Sequence, residues 1–194
     1  MKIQEILNEY TGMDQPYKIQ KDDENPYTYT ADIEGTTKVL TIQYFDIMES
    51  YVPLDDTFIQ SVDNLLWEVS FGVSDSATAP IKWKPESAGG TAQAKQNAVI
   101  LPRILSTITA SMNRFIRDLG TAPQFVCYIP STDRLGQLYD RMAPRLMSKF
   151  GYRSVDTDRV EQYFSEVSGQ QDEVGDFFAN HIDRHSYRFF ERAR

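Results

Sequence analysis

Thiols, cationic charge and long apolar runs are all scarce in this 194-residue chain. Its one cysteine, Cys127, excludes an internal disulfide. Cys127 sits in the run Phe125-Val126-Cys127-Tyr128-Ile129, which fits a small buried side chain in a strand. A nucleophilic thiol needs a base beside it, and the two histidines, His181 and His185, lie far along the chain. No stretch approaches the roughly 20 apolar residues of a membrane span. The opening residues, Met1-Lys2-Ile3-Gln4-Glu5-Ile6-Leu7, interrupt their apolar positions with charge and do not read as a signal peptide. Lys and Arg number 20 against 28 Asp and Glu, a net charge of -8. That balance repels phosphate backbones and anionic bilayers, so neither nucleic acid nor membrane is expected as a partner.

What is present is enough apolar material for a core: 41% hydrophobic residues, with 12% aromatic. Ile3, Ile6, Leu7 and Tyr10 share one helical face, ended by Thr11-Gly12. A short strand is expected over 17–20. Tyr27, Tyr29, Ala31 and Ile33 alternate with polar residues, Glu34-Gly35 turns the chain, and Leu40, Ile42 and Tyr44 alternate back; this is a hairpin. Residues 48–64 look irregular. A strand over 65–73 puts Trp67, Val69, Phe71 and Val73 on one side and Leu66 and Glu68 on the other. Residues 74–96 read as a long connection, with local sheet over 81–84. Leu101, Ile104, Leu105, Ile108, Met112, Phe115, Ile116 and Leu119 then repeat at helical spacing and predict a helix over 97–119. A strand over 125–129, a helix over 132–150 capped by Ser131 or Thr132, and a strand over 152–155 follow. Two helical segments and a closing edge strand, Tyr187 to Arg192, complete the chain. This order gives one α+β domain over 1–194, with a mixed, mostly antiparallel sheet flanked by two long helices. It comprises a helix and hairpin over 1–46, a core over 64–155 and a helical and strand tail over 156–194.

The block from Phe125-Val126-Cys127-Tyr128-Ile129-Pro130 through Leu138-Tyr139 to Phe150-Gly151-Tyr152 carries a resemblance. It resembles the second conserved block of the acetyl-CoA-dependent N-acetyltransferases, the GNAT family: strand, turn, a helix containing Leu-Tyr, then Gly-Tyr into a strand. The helix Leu138-Tyr139-Asp140-Arg141 followed by Gly151-Tyr152 is also similar to a group of tailed-phage proteins. The likeness covers residues 64–155 in topology. It implies that cofactor pyrophosphate meets backbone N–H groups at the start of the long central helix, in a motif Gln/Arg-x-x-Gly-x-Gly/Ala. This sequence departs there. Gly89, Gly90, Thr91 and Lys95 are the cofactor-binding candidates, but the family spacing is absent and the glycines precede the expected helix start at Asn97. Tyr139 matches the family's general acid; as a residue of the apolar stripe it also reads as a packed aromatic. The gap from Tyr139 to Gly151 exceeds the family's by about two turns. Glu68 lies on the strand where some members hold a general base. Buried, it would have a raised pKa; its other reading is a solvated or hydrogen-bonded surface residue.

His181 and His185 are expected one turn apart on a helix face, without the Glu or third ligand of a zinc site, so no metal is expected. Arg134, Arg141 and Arg145 form a stripe read either as ion pairs or as a docking face. Three functions stay open. The first is a phage-type accessory protein on a GNAT-like scaffold, without standard acetyl transfer, acting through a protein partner or self-association. The second is an acyl-CoA-dependent N-acyltransferase taking acetyl-CoA, with Tyr139 and Glu68 as acid and base. The third is a virion component. The expected location is the cytoplasm, the host's if the chain is viral, or the virion.

Overall fold

The computed structural model describes the backbone of residues 15–50, 58, 61–74, 91–129 and 133–193, and their side chains apart from 49–50, 74, 91–102 and 133–140. The expected helix over 1–10, the local sheet over 81–84 and the cap at 131–132 lie outside the described residues. The strands are β1 (Gln20–Lys21), β2 (Thr28–Asp32), β3 (Val39–Asp46), β4 (Leu66–Ser74), β5 (Phe125–Tyr128), β6 (Tyr152–Val155) and β7 (Arg188–Arg192). The helices are α1 (Thr91–Leu119), α2 (Asp133–Ser148), α3 (Thr157–Ser168) and α4 (Gln171–His181), with a single helical turn at Ile47–Ser50. The strands form one mixed sheet in the order β1-β2-β3-β4-β5-β7-β6. The chain divides into two compact units, 1–43 with 71–119 and 44–70 with 120–194.

In the first unit the hairpin register pairs Tyr29 with Ile42 and Ala31 with Leu40, which gathers the expected apolar face. Gly35 sits in the turn at φ +76°, a backbone angle that a side chain disfavours. Ile104, Ile108, Met112 and Phe115, spaced by four, four and three residues, form the buried stripe of α1. The ring of Phe115 meets Tyr27 edge-on at 5.7 Å. Two polar residues interrupt the stripe at no net loss of hydrogen bonds. The Thr107 hydroxyl donates to the Arg103 carbonyl and accepts from the Tyr17 amide, at 2.7 and 2.9 Å. The Ser111 hydroxyl donates to the Ile108 carbonyl. Asp118 closes the far end, accepting from the Tyr29 hydroxyl and pairing with Lys21, both at 2.9 Å.

Two expectations change here. The first strand is Gln20–Lys21, not 17–20, because Tyr17 spends its amide on α1 rather than on a ladder. The long helix starts at Thr91, not Asn97. Residues 91–96, Thr-Ala-Gln-Ala-Lys-Gln, include good helix formers but carry no apolar stripe, so periodicity could not register them.

The second unit holds residues 66–70 of β4, with β5, β7, β6 and α2, α3 and α4. β4 and β5 run parallel, with Leu66 opposite Phe125 and Glu68 opposite Cys127. β7 pairs antiparallel with β5 on one side and β6 on the other. One rung across the sheet is Leu66, Phe125, Glu191 and Arg153; two residues along, on the same face, come Glu68, Cys127, Phe189 and Val155. Val160 and Phe164 of α3 and Val174, Phe177 and Phe178 of α4 join Leu66, Phe125, Cys127 and Phe189 in one core. α3 is well terminated. Asp156 accepts from the Arg159 amide at its start, and Gly169 at φ +70° ends it.

The closing strand is not an edge. β7 lies between β5 and β6, and Phe189 and Phe190, on opposite faces, are each 3% exposed. Both faces being covered explains the weak alternation, and no exposed aromatic patch exists there. Within β7, Glu191 is 3% exposed. Arg153 on β6 donates two bonds to one carboxylate oxygen, at 2.7 and 3.3 Å. Arg159 on α3 donates two to the other, at 2.6 and 3.1 Å. The Arg159 bonds, with those from Arg153, hold the carboxyl below the ordinary Glu range. Glu191→Ala leaves Arg159 without its partner and is expected to destabilise the fold by about 3 kcal/mol in urea titrations at pH 7. Because the folded pKa is depressed, this contribution is present above the unfolded value of about 4.3 and is lost as pH falls through the folded value. The variant's stability should therefore depend less on pH in that acid range than the parent's.

Candidate active site

Glu68 is the acidic side chain that the fold places in an unusual setting. It lies in β4 between Trp67 and Val69, opposite Cys127 on the parallel neighbour. It is half-buried. Burial pushes its carboxyl above the ordinary range, and a hydrogen bond from Tyr187 partly offsets this. The Tyr187 hydroxyl donates to Glu68 Oε2 at 3.3 Å. That length is longer than the usual range of roughly 2.5–3.0 Å for an O–H···O bond, so the bond is a weak one.

Tyr187 reaches Glu68 because of the turn that leads into β7. The Asp183 carbonyl accepts from the amides of Ser186 and Tyr187 at 3.0 and 3.1 Å, and the Asp183 carboxylate accepts from the His185 amide at 3.0 Å. The Tyr187 ring stacks on Phe189, two residues on, with centroids 5.7 Å apart and planes at 18°. Tyr187 also walls a cavity of about 270 Å³ with Tyr128, Val155, Arg184, Arg188 and Phe190. Sequence reasoning missed Tyr187. The available signal was an aromatic just ahead of a strand, behind an Asp-x-x-Ser turn, but nothing local says which strand it will face.

Cys127 has no nucleophilic character. It is fully buried, and burial, followed by the Glu68 charge, pushes its thiol well up. His181 ends α4 and packs against Phe177, whereas His185 lies beyond the helix in the following turn. The expected shared helix face is therefore absent, because α4 stops at Ile182. Among the described residues no three His, Cys, Asp or Glu side chains are grouped to hold a metal. Arg141 and Arg145 are exposed on α2; the side chain of Arg134 lies outside the described residues.

Tyr139 falls on α2, and Thr91 and Lys95 in the first two turns of α1, but their side chains are outside the described residues, as are Gly89 and Gly90 altogether. The fold thus brings Glu68 to Tyr187 and Cys127. Comparison with protein-family models, curated proteins and solved structures finds no match to this chain. Among the described residues no helix is long and apolar enough to cross a membrane.

The burial of Cys127 gives a direct test. Native protein should not react with a disulfide reagent such as DTNB, and one thiol per chain should titrate after denaturation. Rapid labelling of the native protein would contradict the placement of β5 inside the sheet.

Proposed function

We propose that this chain is a GNAT-like N-acyltransferase in which Glu68 takes the proton from an acceptor amine. Glu68 carries the proposal: it is a half-buried carboxyl on the parallel strand pair, with a proton affinity raised by burial. A solvent-exposed Glu would be too weak a base, and a fully buried one could not reach an amine.

The strand order supports the scaffold. A parallel β4–β5 pair is joined through a long helix, and the last strand inserts between β5 and β6. The start of α1 supports the cofactor. With the helix beginning at Thr91, Gly89 and Gly90 immediately precede it in sequence. Gly90-Thr91-Ala92 fits only the Gly-x-Ala end of the family motif; Ser87 stands where the family has Gln or Arg, so the full motif is still absent. The first turn of a helix has unpaired N–H groups, and α1 has no acidic residue there to compete with an anion. Gly89, Gly90, Thr91 and Lys95 are the residues that would hold the pyrophosphate of acetyl-CoA. Bound there, the cofactor supplies the acyl thioester. Tyr139 is the proton donor in this reading.

A second reading keeps the scaffold without the transfer: a phage-type accessory protein acting through a protein partner or self-association. Ser87 in the motif and the long gap from Tyr139 to Gly151 favour it.

Calorimetric titration with acetyl-CoA separates the two. Saturable heat is expected; its absence at high micromolar protein would remove the transferase and leave the accessory role. If the transferase holds, Glu68→Gln should lower kcat/KM by about 100-fold while acetyl-CoA still binds. The carboxylate form is the active one, so kcat/KM should rise with pH through the raised Glu68 pKa. An acid limb at the ordinary Glu value would assign the base elsewhere.

A further inference from the structure

We infer that Tyr187 is a positioning residue for Glu68: by donating to Oε2 it fixes the orientation of the carboxyl and leaves Oε1 as the oxygen that accepts a proton. The catalytic consequence rests on the transferase reading; the hydrogen bond and its effect on Glu68 do not.

The argument starts from what surrounds the carboxyl. Among the described residues, Tyr187 is the donor that reaches Glu68, and Oε1 accepts from none of them. A Glu side chain that extends from a strand has free torsions, and a directional bond, even one of 3.3 Å, biases them toward one orientation. Tyr187 is suited to the task because its own ring is fixed. It is 8% exposed, stacked on Phe189, and its backbone is held by the Asp183 turn. A rigid donor on a turn anchored to a central strand constrains the carboxyl more than a flexible Lys or Ser would.

Among the described residues, Cys127 and Tyr163 are the titratable side chains that the β4–β5 register and the α3 contact place near Glu68 on this face. Cys127, opposite Glu68 on β5, stays a neutral thiol. Tyr163 of α3 lies by Phe125, on the next rung. The other α3 and α4 side chains in the core against this face are apolar: Val160, Phe164, Val174, Phe177 and Phe178. Burial therefore raises the Glu68 pKa, and the Tyr187 hydroxyl opposes that rise. Removing the hydroxyl should leave the first effect without the second.

The test is a side-chain carboxyl NMR titration of protein carrying 13C-labelled Glu, with the Glu68 resonance assigned by its loss in Glu68→Gln. In Tyr187→Phe the ring and its stacking remain, and the Glu68 midpoint should move up by about one pH unit. Where turnover is measurable, the acid limb of kcat/KM should move up with it while KM for acetyl-CoA stays. A folded Tyr187→Phe protein, with unchanged far-UV circular dichroism and amide spectrum, whose Glu68 titrates at the parent midpoint overturns the inference. If Tyr187→Phe fails to fold, 3-fluorotyrosine at position 187 retains the ring and makes the hydroxyl a stronger donor. It should then lower the midpoint, and an unmoved midpoint is equally fatal. The titration needs no acyl donor. Absent acetyl-CoA heat would remove the transferase and leave this inference standing, and an unmoved midpoint would do the reverse.

Discussion

The carboxylate of Glu191, buried in the last strand and clamped by two guanidiniums, is the constraint on which the second unit depends. A charged group at 3% exposure is tolerable only when its hydrogen-bonding capacity is met, and four N–H groups from Arg153 and Arg159 meet it. Those two arginines come from β6 and α3, so the clamp ties three elements at once. It also works against a slipped register. Moving β7 by one residue would turn Glu191 to the opposite face, away from both arginines, and would exchange the faces of Phe189 and Phe190.

The same register sets the candidate site. Phe189 pairs with Cys127, which pairs with Glu68, so the register puts Phe189 on the rung of Glu68 with Tyr187 just ahead of it in β7's direction. Tyr187 shares the face of Phe189 by the two-residue period and arrives there. Pinning at Glu191 and proton affinity at Glu68 are thus linked through one short strand. A slip of β7 at Glu191 would also displace Tyr187, four residues earlier, from Glu68.

Much of the fold was legible because its elements announce themselves locally. The hairpin at Gly35 and the stripe of α1 follow from alternation, helical spacing and turn residues. The errors came where the deciding contact is distant. Tyr187 to Arg192 reads as an edge strand because Glu191 and the flanking arginines look like solvent-facing charge; only Arg153 and Arg159, brought in by other elements, make the interior position viable. The first turns of α1 were invisible because helix propensity without an apolar stripe gives no periodic signal. Of the site, Glu68 could be singled out through strand pattern and family likeness. Tyr187 could not, since its partner lies 119 positions away in sequence.

The acidity of the whole chain bears on the chemistry proposed for Glu68. A net charge of -8 repels nucleic acid, but it draws protonated amines toward the surface. An amine arrives charged and cannot attack a thioester until it loses a proton. In that proposal Glu68 is assigned the middle ground that this requires. It is exposed enough to be approached, and buried enough that accepting the proton relieves its own desolvation. Proton transfer from a cationic amine to such a carboxylate removes two charges from a half-buried place together, so the environment that raises the Glu68 pKa also favours the neutral amine. In the proposed transferase, long-range attraction would concentrate this substrate class and local desolvation would activate it.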